Sequence, residues 1–391
     1  GKFRDQFITD VIQGGAGTSM NMNMNEVIAN RANEILGGEL GKYDRCHPND
    51  HVNYGQSTND VVPTAGKLTV QLLIKDLLTD LQYLYDTLQA KGNEFDHVIK
   101  MGRTHLQDAV PIRLGQEFRA FSQPVLRDIK RISAAVEELT YVNMGATAVG
   151  TGINADVEYV KNVVRILSEV TGFEFKQSPD LVDGTRNLDS FVWLSSALKT
   201  CAVNLSKTAN DIRLMASGPK AGLAEILLPQ QQPGSSIMPG KVNPVIPEVL
   251  NQVCFQIFGN DITITKAAEA GQLELNVFEP VLFFNLFQSI EILKNGIITF
   301  IENCLKGITA QEENCKYWVD RSVGIITALN PHVGYKNAAE IAKESIKTGV
   351  PVAQIVLQRG LLSKEDLDVI LNPFEMTKPG IPGKALLKKN K

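Results

Sequence analysis

Apolar residues recur at spacings of three and four along two stretches of the chain, which is the period of one helix face. In the first stretch they are Leu73, Leu77, Leu81, Leu84 and Leu88. In the second stretch, which ends before Gly218-Pro219, they are Phe191, Leu194, Leu198, Ala202, Leu205, Ala209 and Ile212. Each stretch predicts a long helix with one buried face.

A third stretch, from about Pro247 to Leu305, is apolar on several faces. Such a helix has to be buried on more than one side, so we expect it at the centre of a large bundle or shared between subunits. Pro280 is expected to kink this helix, since proline in a helix interior removes a hydrogen bond and clashes with the preceding turn. Another helix is predicted to begin at Pro111 and to continue to about Val142.

Strand signals are sparse and strands do not alternate with helices, so the pattern predicts a mainly α protein. The formal net charge is -4, with 43% hydrophobic and 21% charged residues. This balance argues against binding to nucleic acid or a membrane surface. No run approaches the roughly 20 apolar residues that span a bilayer, since Asn285 interrupts Val281–Phe284.

The five cysteines are scattered and include no C-x-x-C pair. An odd number without metal-site spacing indicates buried thiols in a reduced, cytoplasmic protein. His47 and His51 are four residues apart, but Pro48-Asn49-Asp50 between them predicts a turn and not a helical metal site. His105 follows Gly-Arg-Thr in a polar loop, and is either a functional or a structural histidine.

Four segments between the predicted helices combine glycine with hydroxyl, amide or basic side chains: Gly14–Ser19, Gly55–Asp60, Gly102–His105 and Gly234–Pro244. One such loop is ordinary, because helix connections need polar and flexible residues. Four of them, each offering several hydrogen-bond donors, indicate a polar site for a small anion.

The segment Gly234–Pro244 has two glycines, two prolines and paired serines, and a long helix follows it. This composition predicts a mobile loop in which Lys241 supplies a cation and Asn243 an amide. A phosphate-binding P-loop does not fit, because five residues separate Gly234 from Gly240 and Val242 stands where Ser or Thr binds magnesium.

The same segment resembles the signature of the aspartase/fumarase superfamily. The segments Gly14–Asn25, His47–Asp60 and Gly102–Ala109 resemble three further blocks of that family, in the family's order. The resemblance covers essentially the whole chain and implies a long-helix bundle as the central domain, with small flanking helical domains. It implies domains at residues 1–58, 59–313 and 314–391, and a further N-terminal segment that this sequence lacks.

Within the superfamily, Thr58, Ala146 and Asp261 resemble the aspartase branch more than the fumarase branch. The resemblance therefore implies an aspartate ammonia-lyase, a carbon–nitrogen lyase that reversibly eliminates ammonia from L-aspartate to give fumarate. The alternative is a class II fumarase. A different class of alternative is a non-enzymatic relative, since this fold also serves as a structural lens protein.

The resemblance also assigns roles to individual residues. It makes Ser235 the general base, places the β-carboxylate at Thr18, Ser57, Thr58 and Ser236, and places the α-carboxylate at Lys241 and Asn243. It places the leaving amino group at Asn59, Thr104 and His105. It implies no organic cofactor and no metal in the site, with Mg²⁺ as an activator whose ligands the sequence does not locate. It implies a homotetramer whose active sites combine loops of three subunits.

Overall fold

The computed structural model describes residues 2–234, 237–238 and 240–388, and these residues are mainly helical. The α-helices are α1 (Thr18–Ile35), α2 (Thr58–Glu94), α3 (Leu114–Glu138), α4 (Val157–Thr171), α5 (Leu181–Arg186), α6 (Asp189–Met215), α7 (Val245–Glu269), α8 (Glu279–Asn303), α9 (Glu312–Arg321), α10 (Ile326–Val333), α11 (Tyr335–Thr348), α12 (Val352–Gln358), α13 (Lys364–Ile370) and α14 (Pro373–Met376). The prediction of a mainly α fold is confirmed.

Short strands form small two-stranded sheets between the helices. The strands are β1 (Ile99–Thr104), β2 (Gln107–Arg113), β3 (Tyr141–Val142), β4 (Lys176–Gln177), β5 (Ile226–Leu227) and β6 (Thr309–Ala310). The pairs β1–β2 and β5–β6 are antiparallel, and β3–β4 is parallel. The largest of these pairs, β1–β2, is a hairpin that carries two of the predicted site residues.

The chain divides into two compact units, each built from three separate segments. The first unit comprises Gly1–Gln82, Leu126–Ser206 and Leu250–Ile297, and the second comprises Tyr83–Val125, Lys207–Val249 and Ile298–Lys391. The long helices α2, α3, α6, α7 and α8 contribute residues to both. The domains predicted from the sequence are three continuous segments, whereas each of these units combines separate segments. The predicted domains therefore stay a prediction.

The two amphipathic helices predicted from apolar spacing are confirmed as α2 and α6. Along α2 the side chains of Leu77, Leu81, Leu84 and Leu88 are buried. All seven apolar residues of the second series are buried on α6, which ends at Met215, just before Gly218-Pro219. The burial of these faces supplies the apolar contacts that hold long helices in a bundle.

The prediction of one kinked helix from Pro247 to Leu305 is wrong, because the region forms two helices, α7 and α8. The Asn276 side-chain amide donates to the Ala267 and Ala268 carbonyls at 2.9 and 3.0 Å, which satisfies carbonyl groups at the end of α7. Pro280 does not kink a helix. It is the second residue of α8, where a missing N–H costs nothing.

The helix predicted to begin at Pro111 begins instead at Leu114, as α3. Pro111 lies in strand β2, opposite Met101 of β1. Proline is tolerated in such a strand because β2 pairs on one side only, so the absent N–H need not join a ladder. The segment Gly102–His105, expected to be a loop, is therefore the end of β1 and the start of a hairpin turn.

The region Glu279–Gly307 is the one stretch of the described residues that is long and apolar enough to cross a membrane. This corrects the expectation that no stretch approaches that length. Half of its most apolar stretch of 18 residues is buried inside the protein, as in a core helix. Its interior also carries Asn285 and Ser289, whose polar side chains hydrogen-bond to helix carbonyls.

Candidate active site

The start of α2 places three predicted site residues, Ser57, Thr58 and Asn59, on one rigid turn. The Ser57 hydroxyl accepts from the Asn59 N–H at 3.1 Å, and Asp60 Oδ1 accepts from the Ser57 N–H at 3.0 Å. This reciprocal arrangement is a capping box with aspartate as its acidic member. The three residues are half-buried, so their polar groups are fixed but reachable.

A ladder of asparagines on α1 supports this turn from behind. The Asn21 amide donates to the Thr58 hydroxyl at 3.1 Å and to Asn53 Oδ1 at 3.3 Å. Asn25, one turn further along α1, donates to the same Asn53 oxygen at 3.1 Å. Sequence reasoning gave no role to these asparagines. In the sequence, Asn21 and Asn25 stand four residues apart in the run Met-Asn-Met-Asn-Met-Asn, a spacing that does not identify their partners; both are buried.

Thr18 is the first residue of α1, and its side chain is exposed. The helix can begin there because Gly17 adopts a left-handed backbone with φ of 86°, which glycine takes without a steric cost. The Thr18 hydroxyl donates to the Gly15 carbonyl at 2.6 Å. To donate to a substrate carboxylate, this hydroxyl has to turn away from that carbonyl.

The loop at residues 143–154 holds Asn59 from the other side. The Asn59 amide nitrogen donates to the Ala148 carbonyl at 2.8 Å. The Asn143 amide donates to the Asn59 carbonyl at 3.0 Å. The first unit therefore gathers Ser57, Thr58 and Asn59 into one network that reaches α1 and this loop.

In the second unit, Thr104 ends β1 and His105 occupies the hairpin turn. His105 and Leu106 both have positive φ angles, 56° and 59°, which is typical of a type I′ turn. Such turns favour glycine and asparagine, so histidine and leucine here hold a costly backbone conformation. Both side chains are exposed.

A buried cluster of charges anchors β1 next to that turn. Lys100 lies 2.7 Å from Glu225 and 2.8 Å from Glu117, and Arg103 lies 2.5 Å from Glu225. Glu225 is fully buried. Burial raises the pKa of Glu117, whereas for Lys100 the two carboxylates overcome the effect of burial and raise its pKa. Paired charges of this kind stay buried because each offsets the desolvation of the other.

Gly234 and Lys241 lie close together. A Cβ at Gly234 would lie 2.3 Å from the Lys241 carbonyl oxygen, so this position requires glycine. Lys241 is exposed and Asn243 is half-buried, and both line a pocket of about 480 Å³ that also includes Pro219 and Leu228. Ser235 and Ser236, the predicted base and one of its neighbours, lie outside the described residues.

The predicted site residues thus fall into two groups. Thr18, Ser57, Thr58 and Asn59 belong to the first unit. Thr104, His105, Lys241 and Asn243 belong to the second. Their roles toward a substrate stay predictions.

The histidine pair His47 and His51 forms a local turn, as expected. The His51 ring accepts from the His47 N–H at 2.8 Å, and the His47 ring accepts from the N–H groups of Asn49 and Asp50. Among the residues that the structure describes, no group of three or more His, Cys, Asp or Glu side chains is arranged to hold a metal ion.

Asp261, one of the residues that favoured the aspartase branch, is buried on α7. Its carboxylate accepts from the Ser195 hydroxyl at 2.7 Å and pairs with Lys199 at 2.6 Å. This residue connects α7 to α6 and contacts none of the predicted site residues that the structure describes.

Comparison with known proteins agrees with this architecture. A family model described as lyase matches residues 1–259, and one described as fumarase C C-terminus matches residues 325–378. The aspartate ammonia-lyase of Bacillus subtilis (strain 168) is 60% identical over 389 residues, 100% of this chain and 82% of that protein. The aspartate ammonia-lyase of Escherichia coli (strain K12) is 49% identical, covering 98% of this chain and 80% of that protein.

Two solved structures share the fold. The fumarate lyase:delta crystallin of Brucella melitensis, bound to cobalt, has a TM-score of 0.94 and 49% identity. The class II fumarase of Schistosoma mansoni has a TM-score of 0.89 and 36% identity. Each comparison covers 97% of this chain and 82% of the other. The chain belongs to the aspartate ammonia-lyase family of the aspartase/fumarase superfamily.

Proposed function

We propose that this chain catalyses the reversible elimination of ammonia from L-aspartate to give fumarate. The observation that carries the proposal is the 60% identity, over the whole chain, to an aspartate ammonia-lyase. The class II fumarase of known structure is 36% identical over a similar span. The substrate class is a small dicarboxylate and the reaction class is carbon–nitrogen bond cleavage.

The chemical difficulty is the negative charge that forms on the β-carboxylate when the adjacent carbon loses its proton. Fixed donors aimed at such a carboxylate are worth about 3–4 kcal/mol each in comparable oxyanion sites. The hydroxyls of Ser57 and Thr58 already accept hydrogen bonds, from Asn59 N–H and from Asn21. Their own hydrogens therefore remain to be donated, with Thr18 and Ser236 completing the set.

Ser235 takes the proton in this mechanism. A serine is a weak base, and lowering its pKa by about 5 units requires about 7 kcal/mol of differential stabilisation. The positive charge of Lys241 and the exclusion of water by a closing loop contribute to that stabilisation. Lys241 and Asn243 also bind the α-carboxylate.

The departing amino group leaves as ammonium and needs hydrogen-bond acceptors. Asn59 fits this role, because its amide nitrogen is held by the Ala148 carbonyl at 2.8 Å. Within the described part of the chain its side-chain oxygen accepts no hydrogen bond, so this oxygen remains to accept from the ammonium. Thr104 and His105 orient the same group. The chemistry calls for no organic cofactor, and Mg²⁺ as an activator stays a prediction without located ligands.

We also propose a cytoplasmic homotetramer with composite sites. All five cysteines are free thiols and four of them are buried, which suits a reducing compartment. On α7, Phe255 and Ile262 are 58% and 65% exposed and lie seven residues apart on one helix face. Large apolar side chains exposed along one face suit burial against another subunit.

The assay that tests the proposed function follows fumarate by its ultraviolet absorbance. L-Aspartate and L-malate are supplied separately, and fumarate is expected from L-aspartate. Fumarate from L-malate alone would contradict the ammonia-lyase assignment in favour of fumarase. Turnover of neither compound would favour the non-enzymatic alternative.

Replacing Lys241 by methionine is expected to raise the KM for L-aspartate about 10²-fold, because removing one member of a desolvated charge pair costs about 2–5 kcal/mol. The matched control is Lys220→Met, since Lys220 is exposed and follows Pro219, which lines the same pocket. The measurement is the KM for L-aspartate of both variants, from steady-state kinetics. An unchanged KM in Lys241→Met would remove Lys241 from the α-carboxylate site.

A further inference from the structure

Asp60 links two segments of backbone that are far apart in the sequence. Its side chain is fully buried at the start of α2. One carboxylate oxygen accepts from the Ser57 N–H at 3.0 Å, and the other accepts from the Thr147 N–H at 2.9 Å. The first bond closes the capping box of α2. The second bond does not cap a helix. It connects the loop at residues 143–154 to α2.

A further hydrogen bond lies beside the one between Asp60 and Thr147, and it joins the residues next to them in the sequence. Asn59, which precedes Asp60, donates its side-chain amide to the carbonyl of Ala148, which follows Thr147. Two consecutive residues of α2 are thus bound to two consecutive residues of the loop. The position of the Ala148 carbonyl, and with it the orientation of the Asn59 amide, depends on where the loop is held.

The backbone of this loop is strained at Thr147. Thr147 has a φ of 55°, a left-handed conformation that β-branched residues rarely adopt. Its hydroxyl is buried and has no hydrogen-bond partner among the described residues. A strained conformation of this kind persists only where the surrounding contacts fix it. The bond from its N–H to Asp60 is such a contact.

The Asp60 carboxylate suits this task in its ionised form, since both oxygens face N–H donors. Burial raises the pKa of Asp60 to about 6, while the N–H groups of Ser57 and Thr147 act in the opposite direction. The group is therefore ionised at neutral pH. A protonated oxygen would present a hydrogen to an N–H group and would weaken one of the two links.

We propose that Asp60 is a positioning residue for the ammonia-lyase reaction: it anchors Thr147, and through Ala148 it orients the Asn59 side chain toward the leaving amino group. This inference rests on the proposed function of Asn59. Asp60 itself touches no substrate. The bond from the Thr147 N–H acts on the amino-group side of the site, whereas the bond from the Ser57 N–H holds the start of α2, where Ser57 and Thr58 face the β-carboxylate.

The test is Asp60→Asn. The asparagine oxygen is expected to keep the bond from the Ser57 N–H, which closes the capping box of α2, while its NH₂ group faces the Thr147 N–H, so the link to the loop is lost. The expected result is a fall of about 10²-fold in kcat/KM for L-aspartate, the scale of a misplaced catalytic contact. The inhibition constant of succinate, a dicarboxylate without an amino group, should stay within about twofold. Backbone amides of residues 145–152 should exchange hydrogen faster than in the wild type.

A double-mutant cycle with Asn59→Ala separates positioning from general support. If Asp60 acts through Asn59, the double variant is no slower than Asn59→Ala alone. The matched control is Asp156→Asn, because Asp156 is an exposed carboxylate that caps α4 through the Glu158 N–H at 2.7 Å. Its kinetics are expected to be unchanged.

Three results would overturn the inference: normal kcat/KM in Asp60→Asn, full additivity with Asn59→Ala, or an equal loss of succinate binding. If Asp60→Asn does not fold, Asp60→Glu takes its place, since glutamate keeps a capping box and displaces the bond to Thr147. Absence of wild-type turnover of L-aspartate would contradict the proposed function instead. The anchoring of residues 145–152 is then decided by hydrogen exchange alone, with unchanged exchange counting against it.

Discussion

Replacing Ser235 by alanine is expected to lower kcat for L-aspartate by about 10⁴-fold, the upper end of what a general base contributes. The substitution removes the group that is proposed to take the proton from the carbon next to the β-carboxylate. It leaves the proposed carboxylate ligands in place, so substrate affinity should change little. The measurement is kcat and KM from fumarate absorbance, together with the inhibition constant of succinate.

The matched control for this experiment is Ser133→Ala, because Ser133 is exposed on α3 and the chemical change is identical. Its kinetics should equal those of the wild type. Near-normal turnover of Ser235→Ala would rule out Ser235 as the base. A loss of succinate binding in the same variant would instead make Ser235 a binding group, since only interactions specific to the transition state change kcat alone.

Apolar spacing predicted the helices whose burial is one-sided, and it failed where burial is not. Leu77, Leu81, Leu84 and Leu88 of α2 and the apolar series of α6 repeat at the helix period and are buried as expected. Between Pro247 and Leu305 apolar residues lie on several faces, so their spacing alone does not mark where one helix ends and the next begins. There the chain divides into α7 and α8, and the Asn276 side chain bonds the last carbonyls of α7.

The candidate site was predicted to a similar extent, for a related reason. Hydroxyls, amides and a cation in glycine-containing loops are visible in the sequence, and Ser57, Thr58 and Asn59 do lie together at one helix start. The groups that hold them were not visible. Asn21, Asn143 and Asp60 act through tertiary hydrogen bonds to residues up to 87 positions away, and local patterns contain no such information.

The buried carboxyl group of Glu279 is expected to make the protein less stable as the pH rises from about 4.5 to about 8. Burial at the start of α8 raises the pKa of Glu279 to about 8, and the nearby charge of Lys67 only partly opposes this. The folded state therefore keeps a proton that the unfolded chain has released. The stabilisation from this group is fully present below the unfolded pKa and is lost as the pH passes through the folded pKa. At 1.36 kcal/mol for each pKa unit, the loss is at most about 5 kcal/mol.

Lys67 is expected to make the protein more stable as the pH rises above about 8. Burial lowers its pKa to about 8, although Glu279 acts to raise it, so the folded state releases a proton that the unfolded chain keeps until about 10.5. Stability from this group accordingly increases between about pH 8 and pH 10.5. The summed contribution of Glu279 and Lys67 to the free energy of unfolding is therefore expected to be smallest near pH 8.

Glu279→Gln isolates the first of these slopes, because glutamine keeps the shape of the protonated acid and cannot ionise. Its melting temperature, measured at a fixed protein concentration, should gain on the wild type steadily from pH 5 to pH 8. Glu291→Gln is the matched control, since Glu291 is exposed on the same helix, and its difference from the wild type should not depend on pH. A difference for Glu279→Gln that is flat across this range would mean that Glu279 ionises as an ordinary carboxyl group. The double variant with Lys67→Met should lose both slopes, because neither group can then ionise.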